Sequence, residues 1–296
     1  MLPAGLAIGS AVFGPWSDRA RVPVRLLALT QGCVAVTALA GSLAVNHIPL
    51  LFLATLRDFG ITYEGMTRTK MALSFLTIFP PALAFGGTFP VVVRLASATG
   101  RGTGTSIGRV YTWNTAGAIV GAFVTGFVLL PTVGAEVTLK LVVSVAIALA
   151  FGSLLAEPGR LNLRWAAPAG LGIVALIVVL TSAPAWDKRL LGAGVYFEPH
   201  LFIAETGEVS VSGIVADYQL KTYTEGYNDT IISFESPKGK FITINGSATA
   251  SDGFEDMFTQ RMLGHLPMLF HPGPVKSVCV VGLGAGVTAG AMGVYD

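Results

Sequence analysis

Charge is scarce in this chain. Asp, Glu, Lys and Arg together make up only 12 % of its 296 residues, about half the share of an ordinary soluble domain. Acid is scarcest at the front, where residues 1–184 carry 12 basic and 5 acidic side chains. Residues 185–296 reverse this, with 7 basic and 12 acidic. Only two cysteines occur, Cys33 and Cys279, far apart and in unlike surroundings, which excludes a disulfide scaffold. Residues 1–16 have neither the basic start nor the small-residue cleavage site of a secretory signal. What is abundant is apolar: 52 % hydrophobic residues and a mean hydropathy of +0.67. A purely soluble protein is excluded. The positive excess flanks apolar segments, which argues against nucleic-acid binding, and the 36 glycines fit close helix packing in lipid.

A bilayer crossing needs about 20 apolar residues, and five runs qualify: 26–46, 71–93, 110–131, 137–156 and 165–184. Residues 1–16 read as the remaining part of a sixth span, whereas 48–56 is too short to cross and fits the interface. The loops 17–25, 94–109 and 157–164 are rich in arginine and are expected to face the cytoplasm. Strict alternation then places the tail outside. Pro80-Pro81, Gly86-Gly87 and Pro90 would interrupt their span, as in transport sites or as packing kinks. Asn114 is expected to bond across helices, and Lys140 to snorkel to the interface. Asp18-Arg19 reads as a positive-inside anchor or a transporter gate.

After Trp186 the periodicity changes. Strands are expected at 230–234 and 241–244, a type I′ turn at Asn245-Gly246 and a return strand at 247–249. Helical spacing covers 254–270, with an apolar stripe of Phe254, Met257, Phe258, Met262, Leu263 and Leu266. Ser251 or Asp252 would cap this helix, and Glu255 and Asp256 suit its first turn. A buried strand is expected at 275–281, and Gly282, Gly284 and Gly286 follow it directly. Such glycines permit φ > 0 and a close ligand, and a helix starting near Val287 would present free N–H groups. Val287 stands where a dinucleotide fingerprint needs its third glycine, so an S-adenosylmethionine-type nucleoside fits better than a pyrophosphate. A ligand-free strand–helix turn is the simpler alternative. No metal-ligating pattern accompanies the loop.

The run YTEGYNDTIISFESPKGKFITINGSATASDGFEDMFTQRMLGHLPMLFHPGPVKSVCVVGLGAGVTAG, residues 223–290, resembles the spermidine synthase (polyamine aminopropyltransferase) family. That family has a small β-domain before a Rossmann-like domain of the S-adenosylmethionine methyltransferase type. The resemblance rests on Asn245-Gly246, Glu255-Asp256, Gln260-Arg261-Met262, Leu266-Pro267 and the glycine loop. PPALAFGGTFPVVVR (80–94) and residues 108–134 are similar to the membrane half of bacterial proteins that fuse such a synthase to helical spans. GPWSDRARVPVR (14–25) is similar to a loop of major facilitator transporters.

The resemblance implies a three-part chain. Residues 1–184 would form a membrane region of about six helices, 185–253 a β-hairpin domain, and 254–296 the start of the Rossmann-like domain. It implies a membrane-bound transferase moving an aminopropyl group from decarboxylated S-adenosylmethionine, or a related S-adenosylmethionine chemistry, to a polyamine. Gly282, Gly284 and Gly286 would take the nucleoside-loop positions, Asn228 or Asp229 a cosubstrate contact, and Gln260 a substrate contact. Gln260 could equally face solvent, and His265 is expected in a core or cap role before a substrate role. The family's base sits on a later strand, so the chain is expected to be an inactive fragment, with no catalytic residue of its own. Ala285 replaces the family's amine-binding Asp, a loss of about 1–3 kcal/mol for a cationic acceptor. A facilitator-type transporter with a nucleotide-binding-like tail is the alternative. The expected location is the bacterial inner membrane, multi-pass, with the bilayer as partner, homo-oligomerisation open, and the tail cytoplasmic because the cosubstrate is cytosolic.

Overall fold

Proline and glycine punctuate the helices of the first part. In the computed structural model, residues 1–98, 103–156, 184–204, 208–237 and 239–295 are described, with isolated positions between 170 and 181. The chain divides into two units, one of residues Met1–Phe52 and Thr62–Trp186, the other of Leu53–Ile61 and Asp187–Asp296.

The first unit is helical. Its elements are α1 (Leu2–Arg19), α2 (Pro23–Ala44), α4 (Tyr63–Gly86), α5 (Thr88–Ser97), α6 (Thr103–Val124) and α7 (Leu130–Leu155). Between α2 and α4 runs α3 (Ile48–Phe59), whose 12 residues extend roughly 18 Å, too short for a bilayer core. Prolines sit in the first turns of α1, α2 and α7, where the missing N–H leaves no bond unmade.

Among the described residues, three stretches are long and apolar enough to cross a membrane: Pro23–Ala44, Tyr63–Ser97 and Gly104–Leu155. This is a membrane protein. The last stretch covers the two spans expected at 110–131 and 137–156. A π-helical turn at Thr125–Leu129 and a non-helical Gly134, φ 83° and ψ 168°, divide it near the expected place. One expectation is corrected. Pro80 and Pro81 lie inside α4 without ending it, and only Gly87 separates α4 from α5. A proline in a membrane helix is tolerated where neighbouring groups take up the freed carbonyls. Residues 157–164 and most of the expected span 165–184 lie outside the described residues.

Helices α1 and α4 meet through small residues. Gly5 and Gly9 form one small-xxx-small pair and Ala82 and Gly86 the other. A Cβ on Gly9 would stand 2.1 Å from the Leu83 carbonyl oxygen, and one on Gly86 would stand 2.3 Å from that of Leu6. No side chain larger than hydrogen fits there, and backbone proximity replaces the hydrophobic drive that lipid removes. The Ser10 hydroxyl donates to the Gly86 carbonyl at 2.8 Å. A second seam joins α2 and α7, where Ala35 and Leu39 pack on Val143, Ala146 and Ile147. Gln31, buried on α2, donates to the Thr88 hydroxyl at 2.9 Å. The Lys140 ammonium pairs with Glu136, one turn earlier on α7, at 2.6 Å. Glu136 also accepts the Trp186 backbone N–H at 3.2 Å.

The second unit holds an antiparallel meander, β1 (Gln219–Glu225), β2 (Thr230–Ser236), β3 (Gly239–Ile244) and β4 (Ser247–Ser251), in that spatial order. Asn245 and Gly246 have φ of 52° and 81°, the paired positive values of a type I′ turn. One sheet face presents Ile232, Phe234, Phe241 and Thr243. Tyr218 meets Phe234 there at a tilt and Phe241 edge-on, beside the short helix α8 (Lys188–Gly192). A further short helix, α9 (Val211–Ala216), precedes β1. Then come α10 (Phe254–Phe270) and α11 (Val287–Met292). They touch at Gly264, where a Cβ would stand 2.7 Å from the Thr288 carbonyl oxygen.

Two further expectations are corrected in this unit. Residues 275–281 form no strand and are largely exposed, Val281 to 95 %. A strand needs a ladder partner, and among the described residues none lies beside them. The helix expected at 254–270 is present as α10; on its apolar stripe Met257 and Met262 are half-buried while Phe254 is exposed to 83 %. The N-cap of α10 is Gly253, not Ser251 or Asp252. A Rossmann-like fold is therefore not established by these elements.

Candidate functional site: the glycine loop and the sheet cavity

Three glycines shape the loop. Gly282, Gly284 and Gly286 have φ of 84°, 55° and 76°, values that cost a side-chain-bearing residue about 1–2 kcal/mol each. A Cβ on any of them would meet nothing within 4 Å. Conformation rather than crowding demands glycine here, and the space above the loop is open. The Gly286 N–H donates to the Leu283 carbonyl at 2.8 Å, closing a tight turn, and Gly286 then caps α11.

The loop faces the sheet. Ala285 and Val287 line a cavity of about 570 Å³ with Lys221, Glu235, Lys240 and Asp252, a volume within the usual range for small-molecule sites. The Lys221 ammonium lies 2.6 Å from the Glu235 carboxylate. That contact, a hydrogen bond and an opposite charge together, holds the Glu235 carboxyl below its usual range. Asp252 accepts the Lys240 backbone N–H at 2.7 Å. Among the described residues, two cations and two anions therefore line the cavity.

Gln260 sits beside this cavity but is engaged. Its side-chain amide N–H donates to Asp256 at 2.9 Å, and its backbone carbonyl accepts the Thr288 hydroxyl at 3.0 Å. Burial raises the Asp256 carboxyl, yet the bonds from Gln260 and Ser251 outweigh burial and bring it below its usual value. Asp256 reaches back to the Ser251 N–H, which makes it a helix-start residue. His265 shares a hydrogen bond of 3.0 Å with the Tyr295 hydroxyl and clamps α10 to the end of α11, the core role expected.

Asn228 and Asp229 are elsewhere. They are exposed in the β1–β2 turn, and Asp229 accepts from the Asn245 side chain at 2.7 Å. The cavity residues Glu235 and Lys240 lie at the other end of β2 and β3. Five residues of strand separate them, roughly 17 Å. Gln260 reaches the start of α11 at Thr288, two residues after Gly286, whereas Asn228 and Asp229 lie in the β1–β2 turn.

Sequence reasoning missed Lys221, Glu235 and Lys240. Strand β1 escaped notice because its residues are mostly polar and exposed. The available signal was the period-2 alternation of Lys221, Tyr223 and Glu225. Comparison with protein families, curated proteins and solved structures finds no match to this chain.

Proposed function

We propose that the chain is a membrane-bound protein of the spermidine synthase-like class, and that its second unit binds S-adenosylmethionine or the decarboxylated form at the 282–286 loop. The observation behind this reading is the loop itself: three positive-φ glycines under open space, leading into a helix and facing a cavity on the sheet. In aminopropyl transfer the acceptor amine attacks the carbon next to the sulfonium. The C–S bond breaks, sulfur keeps the electron pair as a neutral thioether, and a base takes the amine proton. None of the described residues is assigned that base. Binding is assigned to the loop, and turnover to no residue of this sequence.

The acceptor preference follows from Ala285. It lines the cavity where the family places an amine-binding acid, and Glu235 is already paired with Lys221. A diamine therefore finds no free carboxylate at Ala285, and polyamine transfer is the weaker half of the proposal.

The test is calorimetric titration of the full chain in detergent with S-adenosylmethionine and with its decarboxylated form. Saturable heat with one of them, lost in Gly284→Val, is expected. No heat with either nucleoside would refute the reading. A transporter of the facilitator type is the alternative reading; the span expected at 71–93 is interrupted at Gly87, between α4 and α5, and not at Pro80-Pro81.

A further inference from the structure

A second cavity lies within the first unit, independent of the glycine loop. It measures about 740 Å³ and is walled by α1, α4, α5 and α6. Phe89, Val92 and Ala96 line it from α5, at the i, i+3, i+7 spacing of one helix face. Ser106, Arg109, Val110, Trp113 and Asn114 line it from α6 in the same way. The Ser106 hydroxyl donates to the Ala96 carbonyl at 3.4 Å and ties the start of α6 to the end of α5. The walls are mostly apolar, with Ser10, Thr88 and Asn114 as further polar exceptions, and Arg109 supplies the one charged lining side chain among the described residues.

Arg109 is exposed, and among the described residues neither it nor Arg94 has an acidic partner. Residues 94–109, from the last turn of α5 through the first turns of α6, carry three arginines and no acid. An unpaired cation beside an apolar groove in a membrane protein calls for an anion that arrives with its own apolar body. Trp113 is exposed to 74 % and Tyr111 to 63 %, as amphipathic rings are at the membrane–water boundary. The depths agree. Asn114 lies five residues beyond Arg109, roughly 7.5 Å along the helix. Each interfacial layer of a bilayer is about 5–7 Å thick. With Arg109 at the phosphate level, Asn114 reaches the ester level; it lies about 12 Å along α6 from the Ser106–Ala96 contact, and Phe89 lies at a similar depth, about 10.5 Å along α5 from it.

We propose that this groove binds one anionic phospholipid, with its phosphate at Arg109 and an acyl chain along α5 and α6. Basic pockets between membrane helices suit such head groups, and one arginine near the surface favours an anionic lipid about fivefold.

The test is native mass spectrometry of the full chain in mild detergent, titrated with phosphatidylglycerol or phosphatidylcholine of matched chains. One phosphatidylglycerol is expected to stay bound at about fivefold lower concentration than phosphatidylcholine. Arg109→Gln should remove that preference while leaving weak retention of both lipids. Val92→Trp, which fills the groove, should reduce retention of both. Arg109→Lys should keep the preference and shows whether loss in Arg109→Gln reflects charge rather than folding. Equal retention of the two lipids by the wild-type chain would overturn the proposal. So would an unchanged preference in Arg109→Gln, or displacement of the bound lipid by millimolar inorganic phosphate, which would mark a free-anion site instead.

Discussion

Adding one methyl group to Gly9 should separate α1 from α4. The new Cβ would lie 2.1 Å from the Leu83 carbonyl oxygen, 3.0 Å from its carbon and 3.1 Å from the Gly86 Cα. All three are backbone atoms, so no rotamer change relieves the clash. The helices must part by more than 1 Å, and the Ser10 bond to the Gly86 carbonyl stretches with them. Overpacking of this kind costs about 1–3 kcal/mol, and a lost interhelical hydrogen bond in a membrane adds about 0.6. The control is Gly14→Ala on the same helix, where a Cβ meets nothing within 4 Å. It should be neutral, or stabilising by up to about 1 kcal/mol through helix propensity. Unfolding of the full chain in detergent, followed by far-ultraviolet circular dichroism, measures both variants against wild type. Gly9→Ala should unfold first and Gly14→Ala last or with wild type. Equal midpoints for the two variants would show that α1 and α4 do not meet through Gly9.

Other variants probe the remaining contacts. Thr243 is 1 % exposed and its hydroxyl has no hydrogen-bond partner among the described residues. Thr243→Val should therefore be neutral or stabilising by about 1 kcal/mol. A clear loss in denaturant titration would reveal a partner for the hydroxyl. Glu136→Gln strips Lys140 of its counter-ion and should destabilise by about 1.5–3 kcal/mol. The double change with Lys140→Met should recover part of this, and a double variant no better than the single one would disprove the pairing. The lowered Asp256 carboxyl contributes stability above its ordinary value of 3.8, and that contribution fades as pH falls through the lower folded value. Asp256→Asn should be less stable than wild type at pH 7 and converge with it well below pH 3.8. A constant gap across that range would remove Asp256 as the source.

What the sequence determined by itself was local. The spans at 26–46 and 110–156, the Asn245-Gly246 turn, the helix 254–270 and the positive-φ glycines all follow from short-range rules: apolar run length, helical period and the absence of a Cβ. These depend on a residue and its near neighbours, so they can be read in order along the chain. Only the tertiary structure decided matters that depend on distant partners. It showed 275–281 without a ladder and Phe254 of the α10 stripe exposed, because burial requires a second surface that no periodicity supplies. It carried α4 through Pro80-Pro81, where helix packing against α1 outweighs a local breaker. It brought Lys221, Glu235 and Lys240 to the cavity beside Ala285, and left Asn228 and Asp229 at the far end of the strands. Strand register, set by pairing between segments, put Lys240 opposite Glu235, and register is invisible in any single segment.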